Sequence, residues 1–322
     1  MTTSAVLATY AKRLLGPPAY YAGPVFANRM GLQPVRCALG EVSHRLRRRS
    51  SEPSLRRFEE ALDRDGVCLL TNFFPVDVFS EVLQAFERYR ESPSVRELKD
   101  KDHSGVTWYQ GPVTVRDAPR NSAATLIAYL ADEPRMIHLA SYVLRRRVRG
   151  PLLLGFQWLH LPENERDDRD IEGALHADRH YPCVKAVYYM NDNTVDNGAF
   201  VFCKGSHRLS WERLKYEYQY SSRHQAWIRT GRHDPRFAPF DRGRPVPSAE
   251  EFSELGLREE PIEAPANTLV ISNNMGFHRR GQLLPGRSRK QIRILFYDYQ
   301  APLIGRVLRR IYNRHAYGVG AA

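Results

Sequence analysis

Residues 174–207 read ALHADRHYPCVKAVYYMNDNTVDNGAFVFCKGSH, and this stretch decides the fold class. Short runs of apolar, β-branched and aromatic residues alternate here with turns rich in Asn, Asp and Gly, which is typical of successive antiparallel strands. The same pattern continues almost to the C-terminus. It predicts strands at residues 152–160, 174–178, 184–190, 198–203, 268–272 and 290–299.

The part of the chain before these strands has a mainly helical pattern. A helix around Leu62 is expected to stop at Gly66, a strand follows at residues 67–70, and Pro75 opens a second helix. Residues 123–149 are expected to form a further helix. Helices followed by many short strands, without alternation of the two, predict an α+β protein with a sandwich or barrel.

Two long segments do not fit this simple order. Residues 1–55 contain several prolines and sustain no single period, so we expect an irregular basic extension that packs on the domain. Residues 208–262 form a polar stretch that carries Trp and Tyr and interrupts the strand-rich half. An insertion of that length is usually functional, and it predicts a lid or a substrate-contacting segment.

Composition excludes several classes of protein. The 322 residues are 42% hydrophobic and 26% charged, which excludes a disordered or membrane-spanning majority. The net charge of +12 is concentrated at the two ends, in residues 1–57 and 279–322. Such ends attract anionic partners, but the Arg-rich composition of a GC-rich genome explains them equally well. No motif for binding nucleic acid is present, so no nucleic-acid partner is expected.

The cysteines and the apolar runs bear on the cellular compartment. The four cysteines are far apart and lack the spacing of a zinc finger, which favours free, buried thiols in a reducing compartment. The N-terminus lacks the charged-then-apolar order of a signal peptide, and no window approaches 18 apolar residues. A cytoplasmic protein is expected.

The tripeptide His176-Ala177-Asp178 is the sharpest chemical feature of the sequence. On an extended strand, residues two apart point to the same face, so an imidazole nitrogen and a carboxylate oxygen converge there. With one further His, these two side chains would complete the facial triad of a non-haem Fe(II) oxygenase. Alone the tripeptide is weak evidence, since a surface pair of His and Asp has the same sequence.

The surrounding motifs change that balance. After the tripeptide come an Asn197-Gly198 strand that closes in Gly-Ser-His, then residues 268–272, then His278, then GRSRKQIRILFYDY from residue 286. In this order they resemble the phytanoyl-CoA dioxygenase family of Fe(II)/2-oxoglutarate-dependent oxygenases. LDRDGVCLLTNFFPVDVFSEVLQAFERY, which begins at residue 62, also resembles the family's N-terminal helix, strand and helix. The resemblance covers residues 56–300.

The resemblance implies a set of site residues. His176, Asp178 and His278 match the metal ligands, and Arg289 matches the arginine that binds the distal carboxylate of 2-oxoglutarate. Two further cosubstrate contacts are expected at Arg293, beside the nearer carboxylate, and at Trp158. The competing Arg287 is expected in a turn, and His207 is expected to have a structural role. The implied cofactors are Fe(II), 2-oxoglutarate and O2.

The same resemblance implies a double-stranded β-helix, or jelly-roll, core with flanking helices, similar to cupins. It places a basic extension at residues 1–55, the oxygenase domain at residues 56–300 and a C-terminal helix at residues 301–322. Three positions depart from the family pattern and bear on the shape of the pocket. They are Val187, Lys204 and Ala266-Asn267.

The expected reaction is hydroxylation of an unidentified small-molecule or lipid-linked substrate, with conversion of 2-oxoglutarate to succinate and CO2. Retention of Asp178 argues against halogenation, since the related halogenases lose this carboxylate. Substrate contacts are expected from residues 208–262 and from Trp108-Tyr109-Gln110. Two alternatives remain, a jelly-roll binding protein without turnover and a cupin-like metal enzyme that does not use 2-oxoglutarate.

The C-terminal segment allows two interpretations. Pro302 can open a helix with an apolar stripe from Leu303 to Ile311, flanked by arginines. Such a helix could lie in an anionic membrane surface, which would make the protein peripheral to the inner membrane. Alternatively, the stripe docks on the β core and the arginines are solvated.

Overall fold

The computed structural model describes residues 25–99, 105–113, 129–167, 173–230 and 246–296. Its α-helices are α1 (Val25–Arg29), α2 (Leu32–Arg45), α3 (Arg56–Arg64), α4 (Val76–Tyr89), α5 (Pro134–Leu144), α6 (Trp211–Thr230) and α7 (Ala249–Glu254). Its strands are β1 (Val67–Leu70), β2 (Arg96–Leu98), β3 (Thr107–Pro112), β4 (Leu153–His160), β5 (Val184–Tyr189), β6 (Phe200–Cys203), β7 (Glu259–Ile262), β8 (Thr268–Asn273), β9 (His278–Arg280) and β10 (Ser288–Phe296).

The strands of the described residues form two antiparallel sheets. The large sheet has the order β1-β8-β5-β10-β4-β3-β2, and the small sheet has the order β7-β6-β9. Apolar side chains pack between them, with Val187 and Tyr189 from the large sheet against Phe200 and Phe202 from the small one. This is the predicted jelly-roll architecture with flanking helices, and its two sheets do not close into a barrel.

Successive residues of a strand face opposite sides of the large sheet, one side toward the helices and the other toward the small sheet. On β10, Ile292 and Ile294 are fully buried in the main core, which α3, α4 and α5 cover from outside. Phe86 of α4 stacks on Phe156 of β4 with ring centroids 4.3 Å apart. The alternate residues Arg289 and Gln291 point to the opposite face, as the pattern predicts.

The prediction that residues 1–55 are irregular is wrong for the described part of this segment. Helices α1 and α2 lie within it and pack against α6. The prolines misled the prediction, because Pro34 lies in the first turn of α2, where a missing N–H costs nothing. The end of the insertion belongs to the β core, because β7 pairs with β6 as part of the small sheet.

Two predicted elements have different bounds. Residues 174–178 are not a strand, because the backbone there makes only a single bridge between His176 and His278. The helix expected at residues 123–149 is the shorter α5, preceded by a 3-10 helix at Tyr129–Asp132. It ends where Arg145 adopts a left-handed conformation, with φ of 48°.

Parts of some predictions lie outside the described residues. They include residues 123–128 of the expected helix, residues 231–245 of the insertion and the C-terminal helix. None of the helices in the described part of the chain is long and apolar enough to cross a membrane.

Candidate metal centre

Three buried side chains, His176, Asp178 and His278, converge although His278 lies about a hundred residues after the other two in sequence. His176 Nε2 lies 3.6 Å from Asp178 Oδ1, and His278 Nε2 lies 3.6 Å from Asp178 Oδ2. One potential ligand atom from each residue lies within 4.8 Å of the others. The backbones of His176 and His278 exchange hydrogen bonds of 2.9 and 2.8 Å, which fixes the two imidazoles next to each other.

The hydrogen bonds of both imidazoles define their tautomers. His176 Nδ1 lies 2.7 Å from the carbonyl of Ala174, and His278 Nδ1 lies 3.0 Å from the carbonyl of Gly276. A carbonyl oxygen only accepts, so each Nδ1 donates and each Nε2 of a neutral ring keeps its lone pair. Burial lowers the pKa of His278 to about 4, although Asp178 opposes this, so His278 is neutral at pH 7.

The carboxylate of Asp178 supplies the negative charge of the cluster. Burial by itself raises the pKa of Asp178, but the Lys185 ammonium, 3.9 Å from Oδ2, together with His278 and His176 outweighs burial, and the pKa lies well below its usual range. One carboxylate and two neutral imidazoles are a donor set that suits a divalent transition metal such as Fe(II). The three residues therefore fit the metal that the sequence predicts.

A pocket between the two sheets adjoins this cluster. Its lining carries five cationic side chains besides the two histidines. Two of these form ion pairs with carboxylates, Arg279 with Glu259 at 2.5 Å and the buried Arg280 with Asp167 at 2.7 Å. The other three are Lys185, Arg289 and Arg293.

Arg289 is a buried residue of the pocket lining, near the start of β10. Its Nη1 donates a hydrogen bond to the carbonyl of Gly198, which holds the guanidinium at this position. Gly198 has a φ of 79° and a Cβ there would lie 2.4 Å from the Leu283 side chain, so glycine is required at this close approach. Arg293 lies on the same face of the strand and also lines the pocket.

The structure does not bring Trp158 to the pocket. Its indole packs on the outer face of β4, 6.3 Å from the ring of Phe86 and 4.1 Å from Lys290 Nζ. Because strand residues alternate, the neighbouring Gln157 takes the inner position and accepts a hydrogen bond from Gln291. Gln157, and not the predicted Trp158, therefore belongs to the lining of the pocket.

The other predicted residues lie partly in the pocket and partly outside it. Trp108 lines the pocket, whereas Tyr109 lies on the outer face, 6.2 Å from the ring of Trp158. Arg287 is exposed in the turn before β10, as predicted. His207 lies away from the metal ligands, against the backbone of Gly66, and its burial lowers its pKa to about 4.

Two residues near the metal ligands were missed by the sequence analysis. Lys185 lies on the pocket face of β5, and Asn274 donates a hydrogen bond of 2.9 Å to Asp178. The one sequence signal for Asn274 is a polar pair, Asn273-Asn274, directly after an apolar strand and four residues before His278. Nothing in the spacing indicates that its side chain turns inward.

The comparison with protein families decides between the remaining interpretations. The model of the phytanoyl-CoA dioxygenase (PhyH) family matches residues 62–244, more than half of the chain. The chain belongs to the phytanoyl-CoA dioxygenase family. The match includes His176 and Asp178 and ends before His278 and Arg289, which the fold brings to the same site. This member of the family is an oxygenase that uses Fe(II) and 2-oxoglutarate.

Solved structures are similar to this phytanoyl-CoA dioxygenase family member in fold. The epimerase SnoN, in complex with Fe3+, alpha ketoglutarate and nogalamycin RO, is 16% identical, with a TM-score of 0.51 over 76% of this chain and 84% of SnoN. EctD from S. alaskensis with bound Fe is 14% identical, with a TM-score of 0.50 over 78% of this chain and 80% of EctD. No curated protein matches the sequence.

Proposed function

We propose that this oxygenase hydroxylates a small-molecule substrate and converts 2-oxoglutarate to succinate and CO2. The observation that carries the proposal is the convergence of His176, Asp178 and His278 beside a pocket whose lining includes the buried Arg289. These three residues would hold the iron, which supplies the activation of O2 and of the 2-oxo acid when it is bound. The chain's own residues bind, orient and enclose the reactants.

The cosubstrate has two carboxylates, and the pocket has suitable cations for both. We assign the distal carboxylate to Arg289, because a buried guanidinium offers two parallel N–H donors that match a carboxylate. For the nearer carboxylate the candidates are the predicted Arg293 and Lys185, whose Nζ lies 3.9 Å from Asp178 Oδ2. Gln157 and Gln291 also line this pocket, and Gln291 donates a hydrogen bond to Gln157.

Trp108 of β3 lines the pocket and is a candidate contact of the substrate. SnoN was solved with the small molecule nogalamycin RO, which supports a small-molecule substrate for this fold. The alternative is a lipid-linked substrate, which would require the protein to contact a membrane. The liposome experiment described below tests that contact.

The proposed domain organisation keeps the predicted bounds and adds a role for the N-terminal extension. Residues 56–300 would form the catalytic unit, with residues 1–55 as an extension and residues 301–322 as a basic tail. Helices α1 and α2 pack on α6, which supports the proposal that the extension stabilises the insertion. Both alternatives to an oxygenase, a binding protein and a metal enzyme without 2-oxoglutarate, predict no succinate production.

The decisive experiment removes the one anionic ligand. We expect Asp178→Ala to abolish both the charge-transfer band of the 2-oxoglutarate–Fe(II) complex and succinate formation, because two neutral imidazoles alone bind Fe(II) weakly. The band is measured anaerobically by absorption spectroscopy, and succinate is measured by chromatography. Asp196→Ala, which changes an exposed aspartate in a turn, is the matched control and should leave both unchanged. Normal succinate formation by Asp178→Ala would refute the ligand assignment.

A further inference from the structure

Asn274 is fully buried and its side-chain amide lies between two of the proposed metal ligands. Its Nδ2 is 2.9 Å from Asp178 Oδ2 and 3.1 Å from His278 Nε2. We infer that Asn274 is a positioning residue of the metal centre: its amide holds the carboxylate of Asp178 in a fixed orientation toward the two imidazoles. The inference rests on the proposed function, since it needs His176, Asp178 and His278 to be the ligands.

The orientation of the amide is set by its neighbours. The Ser272 hydroxyl donates a hydrogen bond of 2.6 Å to Asn274 Oδ1, and a carboxylate only accepts, so the NH2 group must face Asp178. The backbone of Asn274 is also held on both sides. Its N–H donates to the carbonyl of Cys183 at 2.9 Å, and its carbonyl accepts from the Asp178 N–H at 3.0 Å.

These contacts fix the orientation of the Asp178 carboxylate. Oδ2 accepts from Asn274 and lies 3.9 Å from Lys185 Nζ and 3.6 Å from His278 Nε2, whereas Oδ1 lies 3.6 Å from His176 Nε2. The hydrogen bond from Asn274 therefore restricts rotation of the carboxylate relative to both imidazoles. Hydrogen bonds of this kind orient metal-binding carboxylates, and their loss typically costs about 10–100-fold in metal affinity.

The second contact of the amide concerns His278. Because Nδ1 of this ring donates to Gly276, its Nε2 accepts from Asn274. An ion bound at Nε2 would take that lone pair and replace this hydrogen bond, and Asn274 could still donate to Asp178. While no ion is bound, the amide gives both buried acceptors, Asp178 Oδ2 and His278 Nε2, a donor, which avoids the cost of leaving them unsatisfied.

Binding of Co(II) to the purified full-length chain tests the inference without turnover. We expect Asn274→Leu, which removes the donor at similar volume, to raise the Kd for Co(II) by roughly 10–100-fold and to alter the visible absorption of bound Co(II). Ser272→Ala should change both in the same direction by a smaller factor. Asn193→Leu is the control, because Asn193 is equally buried but donates to the carbonyl of Ile262 at 3.0 Å, in the small sheet.

The outcomes separate a positioning role from a structural one. Asn193→Leu should lower the Tm and leave Co(II) binding unchanged, since it touches no proposed ligand. A folded Asn274→Leu with the Kd and spectrum of the wild type would overturn the inference. If Asn274→Leu does not fold, unchanged Co(II) binding by Ser272→Ala overturns it instead. A wild-type protein that binds no Co(II) would refute the ligand set itself, and with it the proposed function.

Discussion

Arg289 and Arg287 differ in environment although they are two residues apart. Arg289 is buried on the pocket face of β10, whereas Arg287 is exposed in the turn that precedes this strand. Residues two apart on a strand share a face, so Arg287 would also face the pocket if β10 included it. Because β10 begins at Ser288, Arg289 is the first arginine of the strand, and Arg287 stays in the turn. The difference makes this pair a sensitive probe of the cosubstrate site.

We predict that Arg289→Ala raises the apparent KM for 2-oxoglutarate well over tenfold. Loss of a guanidinium that binds a buried carboxylate costs about 2–5 kcal/mol, because the partner charge is left unpaired. Steady-state succinate formation at varied 2-oxoglutarate measures the change. Arg287→Ala is the matched control and should change the KM little. If instead Arg287→Ala were the impaired variant, the assignment of Arg289 would be wrong.

At the scale of secondary structure, α6 connects the N-terminal helices to the metal centre. Arg213 and Glu217 form an ion pair of 2.9 Å that is almost completely buried, and Gln33 of α2 donates to the same carboxylate at 3.1 Å. The guanidinium of Arg213 lies 4.3 Å from the ring centre of Phe277, the residue before His278. Through these contacts α6 stabilises the backbone that presents a proposed metal ligand.

We predict that Glu217→Leu lowers the free energy of unfolding by about 3–5 kcal/mol, because it leaves the Arg213 charge buried without this partner. Urea denaturation followed by circular dichroism measures the change. On the exposed side of the same helix, Lys215 pairs with Glu254 at 3.0 Å with about half of each side chain exposed. Glu254→Leu should therefore cost less than about 1 kcal/mol. Equal losses in the two variants would show that α6 is not held through its buried pair.

For the whole molecule, charge is distributed unevenly along the chain. The net charge is +12, and the surplus lies in the two ends. Pro302 and the residues that follow it, which lie outside the described part of the chain, have the pattern of a basic amphipathic helix. We propose that this segment gives the enzyme peripheral contact with an anionic membrane. The competing interpretation is a helix docked on the β core.

Co-sedimentation with liposomes separates the two interpretations. We expect the full-length chain to pellet with vesicles that contain anionic lipid, and to pellet less as the salt concentration rises, because salt screens charge attraction at the surface. Vesicles of neutral lipid are the control for the lipid, and a chain that ends at residue 300 is the control for the protein. Equal pelleting of both chains, or no pelleting of the intact chain, would favour a soluble substrate.

The sequence by itself determined the class of fold through local rules, since strands such as β1 and β8 follow from apolar runs between turn residues. The proposed ligands came from the resemblance of its motifs to the phytanoyl-CoA dioxygenase family, because no local pattern singles out His278. The alternation along β10 likewise predicted that Arg289 and Arg293 share a face. His176 and Asp178 are adjacent enough in sequence for their convergence to be expected from backbone geometry.

Other features were decided only by the tertiary structure, because they depend on which face of an element meets a neighbour. Trp158 and Gln157 are equally plausible pocket residues in the sequence, and only the placement of α4 against one side of β4 buries the indole there. Asn274 likewise becomes a contact of Asp178 only when β8 returns beside the bridge between His176 and His278. Contacts between residues almost a hundred positions apart follow from sheet pairing, which no local pattern specifies.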